Sequence, residues 1–89
     1  MKCRKIKIIN KLGMHARASA KFVSLASAFG SEITLARNGQ RVNGKSIMGI
    51  MMLAAGKGTE LEVCASGIDE DQAVTDLCSL INERFEEDQ

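Results

Sequence analysis

A chain of 89 residues with no Trp or Tyr and only three Phe can build one modest aliphatic core, so a single domain spanning residues 1–89 is expected, with no enclosed site for a large cofactor. Its net charge of +1 hides an asymmetry: residues 1–45 carry ten Lys or Arg against Glu32 alone, and residues 46–89 carry two against ten, so the halves stand at +9 and −8. The basic half suits an acidic partner, but the strands lack aromatic stacking residues and no helix is basic, which speaks against nucleic acid.

Along the chain, Cys3 to Ile9 alternates as a first strand, with Arg4, Ile6 and Ile8 on one face. Gly13 and Met14 turn the chain into a helix from Ala16 to Phe29, whose apolar stripe is Phe22, Leu25, Ala26 and Phe29 and whose end is set by a left-handed Gly30. Ile33 to Arg37 is a second strand, Asn38-Gly39 a tight hairpin turn, and Gln40 to Asn43 a third strand. A short helix follows Ser46 to about Leu53, and Glu60 to Ala65 alternates as a fourth strand. Asp69 with Gln72 reads as the capping box of a last helix striped by Ala73, Val74, Leu77, Ile81 and Phe85. The order βαββαβα gives helices that each have one apolar face to bury, and so predicts an open-faced α/β sandwich: a four-stranded, mainly antiparallel sheet with its helices on one side.

The cysteines Cys3, Cys64 and Cys78 are odd in number, far apart, and form neither a C-x-x-C pair nor a metal spacing with the lone histidine, so reduced thiols and no metal site are expected. No apolar run approaches the roughly 20 residues that cross a bilayer, and Met1-Lys2-Cys3-Arg4 is not followed by a signal-peptide core. A cytoplasmic chain without membrane insertion is expected.

Three places carry chemistry. His15 stands at the mouth of the first helix, where unpartnered N–H groups and the helix dipole stabilise anions. If the ring nitrogen nearest the backbone accepts a bond from a first-turn N–H, the imidazole becomes an oriented nucleophile, and the positive helix end disfavours its cation. The backbone N–H groups of Ala16, Arg17 and Ala18 and the planar fork of Arg17 then suit a phosphate. For a lone histidine taken without context, a plain cap is the simpler interpretation. Ser46 caps the short helix, which needs no further function, although a phosphate there would gain from the helix end and from Lys45. In the segment Ile47 to Leu53, Ile50, Leu53 and Ala54 share one arc, while Met48, Met51 and Met52 point largely away from it. Those methionines either pad the core or form an adaptable contact surface.

Gly39 to Ser46 matches the phosphate-loop formula G-x-x-x-x-G-K-[ST], which would make the chain a small nucleotide-binding protein. Such a loop must wrap phosphates in one turn, whereas here it runs through a hairpin and a strand, and no later strand ends in a metal-binding aspartate.

Asn10-Lys11-Leu12-Gly13-Met14-His15-Ala16-Arg17-Ala18, together with Arg41-Val42-Asn43-Gly44-Lys45-Ser46-Ile47-Met48-Gly49-Ile50-Met51-Met52-Leu53-Ala54-Ala55, resembles the two signature regions of the HPr family, the histidine-containing phosphocarriers of the bacterial phosphoenolpyruvate-dependent phosphotransferase system. The resemblance implies that His15 takes phosphate from the system's first enzyme and gives it to downstream acceptor proteins, with Arg17 as the phosphate's partner. It also implies Ser46 as the target of a bifunctional HPr kinase/phosphorylase, and a carrier rather than a free-standing turnover enzyme. The expected partner surface comprises Ala20, Ser24, Ile47, Met48, Met51 and Met52 on a monomer, with an adaptor domain docking through its methionines as the alternative. The family's histidine motif usually has proline where this chain has Ala18, which restores an N–H at the helix start.

Overall fold

The structure, a computed structural model, describes residues 1–88. Its elements are β1 (Lys2–Lys7), α1 (Ala16–Ala26), β2 (Glu32–Arg37), β3 (Gln40–Asn43), α2 (Ile47–Met51), β4 (Glu60–Ser66) and α3 (Glu70–Asn82), followed by a short 3-10 turn (Arg84–Glu86). Period-two alternation sends Ile6, Ile33, Leu35, Leu61, Val63 and Ala65 to one sheet face, where they are buried with Phe22, Ile50, Val74, Leu77 and Ile81 from the helices. Lys5, Lys7, Glu60, Glu62 and Arg41 alternate with them on the other face. The sheet has strand order β1-β4-β2-β3 and is antiparallel throughout, with Ile6 opposite Leu61, Val63 opposite Leu35 and Leu35 opposite Val42. The architecture is the open-faced α/β sandwich.

The hairpin between β2 and β3 follows from Asn38 and Gly39, both left-handed with φ of 50° and 83°, as a two-residue turn between right-twisted strands requires. Three local expectations are corrected. The first helix stops at Ala26 rather than Phe29, because Ala28 and Phe29 donate to carbonyls only three residues back, and Gly30 is not left-handed. The Gly30 N–H instead meets the Asp69 carboxylate. That carboxylate also takes the Ser31 N–H and hydroxyl, so it forms no capping box, and Gln72 turns to Asp76. Phe85 is fully buried as expected, but beyond the helix: Arg84, Phe85 and Glu86 are all left-handed, folding the tail back over the core.

The cysteines give the fourth correction. The β1–β4 register sets Cys3 opposite Cys64, and the two are joined as a disulfide across 61 residues of sequence. Cys78 is free and buried, and burial pushes its thiol up against the opposing pull of Arg4. Among the described residues no helix is long and apolar enough to cross a membrane.

Candidate functional site

The segment before α1 is held from both sides. Gly13 has φ +65° and lies so close to the 55–56 backbone that a Cβ would fall 2.6 Å from the Ala55 carbonyl oxygen, so only glycine fits. Next to it the Met14 N–H donates to that same carbonyl at 2.8 Å. The fully buried Asn10 closes the turn by donating from Nδ2 to the Gly13 carbonyl at 2.8 Å. His15 therefore emerges at a fixed point, in extended conformation, as the N-cap of α1. Its carbonyl accepts the Ser19 N–H at 2.8 Å, the first bond of the helix. By helix geometry the N–H groups of Ala16, Arg17 and Ala18 have no acceptor within the helix that His15 caps.

The expected ring-to-backbone cap does not form. Instead His15 Nε2 contacts the carboxylate of Glu87, brought in by the left-handed tail, and Asn10 Nδ2 donates to the same carboxylate at 3.1 Å. Burial opposes ionisation of Glu87, but its bonds to His15 and Asn10, aided by the charges of His15 and Lys21, outweigh that and hold the carboxyl below the usual glutamate range. An ionised carboxylate only accepts, so the proton of this contact belongs to Nε2; in the neutral ring the lone pair is then on Nδ1, the nitrogen nearest the backbone and the helix mouth. Lys21 secures the tail, donating to the Phe85 carbonyl at 2.7 Å and standing 3.8 Å from Glu86. Around the ring lies an open depression of about 640 Å³, lined by Lys11, Leu12, His15, Ala16, Arg17, Glu87 and Asp88. Arg17 is exposed on its rim and makes no hydrogen bond or ion pair among the described residues. Ala18, in contrast, is buried in the core.

Ser46 caps α2 as expected, its hydroxyl accepting the Gly49 N–H at 3.0 Å. Lys45 does not stand ready beside it, because its ammonium donates to the Phe29 carbonyl at 2.8 Å and ties the start of α2 to the turn that follows α1. The methionines settle on the outer side: Met48 is 73% and Met52 67% exposed, Met51 and Ile47 are about two-fifths exposed at 42% and 41%, and Ile50 and Leu53 are buried. Ala54 leaves the buried arc assigned to it; it is exposed and left-handed, one residue past the end of the helical turn. Ala20 and Ser24 are exposed on α1, one helical line running through Ala16, and α1 and α2 are packed neighbours. The phosphate-loop formula is broken in space, since Gly39 sits in the hairpin and Gln40–Asn43 is strand.

Two site residues escaped the sequence reading. Leu12, an apolar side chain 67% exposed beside His15, carried a signal in its place between Lys11 and Gly13. Glu87 carried none, being one acid among several at the end of the chain.

A family model described as "PTS HPr component phosphorylation site" matches residues 2–83. The phosphocarrier protein HPr of Neisseria meningitidis is 58% identical over 82 residues, covering 92% of each chain. Among solved structures, HPr-C-His from Thermoanaerobacter tengcongensis superposes with a TM-score of 0.96 at 44% identity, covering both chains fully. An HPr dimer from the same organism gives 0.78 at 45% identity, covering 98% of this chain and all of that one.

Proposed function

Since this chain belongs to the HPr family of phosphotransferase-system phosphocarriers, we propose that His15 is its carrier atom-holder: Nδ1 accepts the phosphoryl group from the phosphohistidine of the system's first enzyme and passes it to a downstream acceptor protein. The observation that carries this is the single histidine capping α1 with Nε2 committed to Glu87, which leaves one nitrogen free at a helix mouth that favours anions.

In the docked complex the Nδ1 lone pair attacks phosphorus in line as the donor's N–P bond breaks. Docking supplies the proximity that phosphoryl transfer chiefly needs. The phosphorylated ring keeps its Nε2 proton and becomes cationic, and Glu87 neutralises it. The N–H groups of Ala16, Arg17 and Ala18 and the guanidinium of Arg17 meet the phosphate oxygens, whose three negative edges suit a fork better than a point charge. When the group leaves, the same contacts remain with the neutral ring, so no part of the site is consumed and the chain acts as a carrier with no cofactor, not as a turnover enzyme.

Ile47, Met48, Met51 and Met52, with Ala20 and Ser24 on the neighbouring helix, form the docking surface, because adaptable thioethers on an outer face suit several partners in turn. The chain works as a cytoplasmic monomer on this proposal. Ser46 is the regulatory site: phosphate added there is stabilised by the helix end but sits beside Ile47 and Met48, where docking would have to desolvate it. Labelled phosphoenolpyruvate with the first enzyme tests the core of the proposal. Acid-labile, base-stable label is expected on the wild type and none on a folded His15→Ala protein. Full labelling of that variant overturns the carrier role. Label taken from ATP without a kinase would favour a nucleotide-binding protein instead, and no label at all an adaptor.

A further inference from the structure

The open face of the sheet, opposite the helices, carries a cluster that phosphate transfer does not use. Cys3 of β1 and Cys64 of β4 stand directly opposite one another, and Glu62 lies two residues before Cys64 on the same face. One donor atom from each of the three lies within 4.8 Å of the other two. Glu62 is held in place, since Arg41 donates to its Oε1 at 2.8 Å and also to Thr34 Oγ1 at 2.8 Å. That leaves the second carboxylate oxygen for another partner. Lys5 faces Glu62 across the strand pair, so two cations adjoin the three potential anions.

We propose that, once the Cys3–Cys64 bond is reduced, Cys3, Cys64 and Glu62 form a binding site for a zinc-class divalent ion. The sulfur pair closes as a disulfide in the structure, and the two states exclude each other because they use the same sulfurs. The proposed cytoplasmic setting, on which only the prevalence of the open state rests, keeps thiols reduced. A dithiol reductant opens the pair: its two S–H groups become a disulfide while Cys3 and Cys64 become two thiols. Metal binding then releases both thiol protons to solvent.

The geometry suits the ion. With Zn–S near 2.3 Å and Zn–O near 2.0 Å, tetrahedral coordination sets donor atoms about 3.5 to 3.8 Å apart, within the 4.8 Å that encloses the three donors, once reduction lets the two bonded sulfurs part. Donors on adjacent strands and at i, i+2 of one strand all point to the same side of the sheet. Two thiolates select a borderline-soft ion over magnesium or calcium. A water or a fourth donor completes the set. Cys78, buried under the opposite face, takes no part.

The test is a titration of fully reduced, metal-free protein with Co²⁺, followed by displacement with Zn²⁺. One equivalent of Co²⁺ is expected to give a sulfur-to-metal charge-transfer band with the visible bands of tetrahedral cobalt, lost on adding one equivalent of Zn²⁺. Cys3→Ser is expected to remove the charge-transfer intensity of one thiolate and weaken binding at least a hundredfold. Glu62→Gln is expected to weaken it about tenfold, and Cys78→Ser to leave it unchanged, with circular dichroism confirming that each variant is folded. No band with both thiols titrating as free, binding unaltered in folded Cys3→Ser, or equal affinity in Glu62→Gln each overturns the site. None of these readouts depends on phosphate transfer, so the metal site and the carrier role fail separately.

Discussion

Replacing Glu87 by Gln keeps the shape of the tail and removes its charge, which isolates what the carboxylate does for His15. In the unphosphorylated protein the amide can still accept from Nε2, so the loss is that between a charge-assisted bond and a neutral one. Charge-assisted bonds are worth about 1.5 to 3 kcal/mol against about 1 for neutral pairs, so the difference is about 0.5 to 2 kcal/mol. It falls mainly on the phosphorylated state, where the ring is cationic and the contact is partly shielded, with the Glu87 side chain only 17% exposed. At 1.36 kcal/mol per tenfold, the equilibrium between phosphorylated first enzyme and phosphorylated carrier should shift about two- to thirtyfold against the carrier. The assay is the partition of label between the two proteins at fixed salt, with the exposed Glu83→Gln as the control for removing one negative charge from the same region. Nitrogen-15 shifts of the ring report the tautomer in parallel. An unchanged partition together with an unchanged Nε2–H tautomer refutes the role assigned to Glu87.

Arg17→Lys should slow phosphorylation of His15 several-fold while leaving the melting temperature within a degree or two, read by rapid quench and calorimetry, since the exposed guanidinium contributes its fork and not packing. Met48→Glu should weaken binding to the first enzyme with little loss of stability, whereas Leu53→Ala should cost about 2 to 5 kcal/mol of stability as a core truncation, the two effects being separated by calorimetric binding and thermal melts. Ser46→Asp and enzymatically serine-phosphorylated protein should both accept phosphate on His15 more slowly than wild type, with the fold retained; equal stopped-flow rates would leave Ser46 a helix cap alone. The bonds that Asp69 accepts from Ser31 and Gly30 hold its carboxyl below the usual range, so their stabilisation is complete above the unfolded carboxylate value near 3.9 and lost as pH falls through the lower folded one. Acid melts should therefore show Asp69→Asn losing stability at neutral pH and converging on wild type at the acid end.

Alternation and helical period were enough to place the four strands and three α-helices, though not the end of α1 or the 3-10 turn that carries Phe85, because each element's apolar residues are a local pattern that packing later enforces. The same residues, Ile6, Leu61, Val63, Phe22 and Leu77, are buried in the structure. The cap of α2 was also local, needing only Ser46 three residues before Gly49. Long-range pairing hid the rest. Asp69 looks like a capping-box residue until the chain end of α1 arrives with Gly30 and Ser31, which offer three donors to one carboxylate. Glu87 reaches His15 only because three consecutive left-handed residues, none of them glycine, fold the tail back, a conformation that no local propensity favours. Cys3 and Cys64 meet through strand register, which the spacing of cysteines along the chain does not encode.

The pairing of β1 with β4 also sets when the histidine can work. Lys7 pairs with Glu60 and Lys2 with Ala65, so the first strand of the chain waits for the last before it has any neighbour. Closing loops of that length is entropically slow, and contacts this distant in sequence usually form late in folding. The turn that presents His15 leans on the Ala55–Gly56 backbone just ahead of β4, and the Glu87 carboxylate that meets the ring lies further along still. On the ribosome, a nascent chain would therefore expose the histidine long before it could be oriented. On the proposed carrier role, phosphate acceptance by His15 should begin only after the C-terminal third has emerged, so the reaction itself would report completed folding.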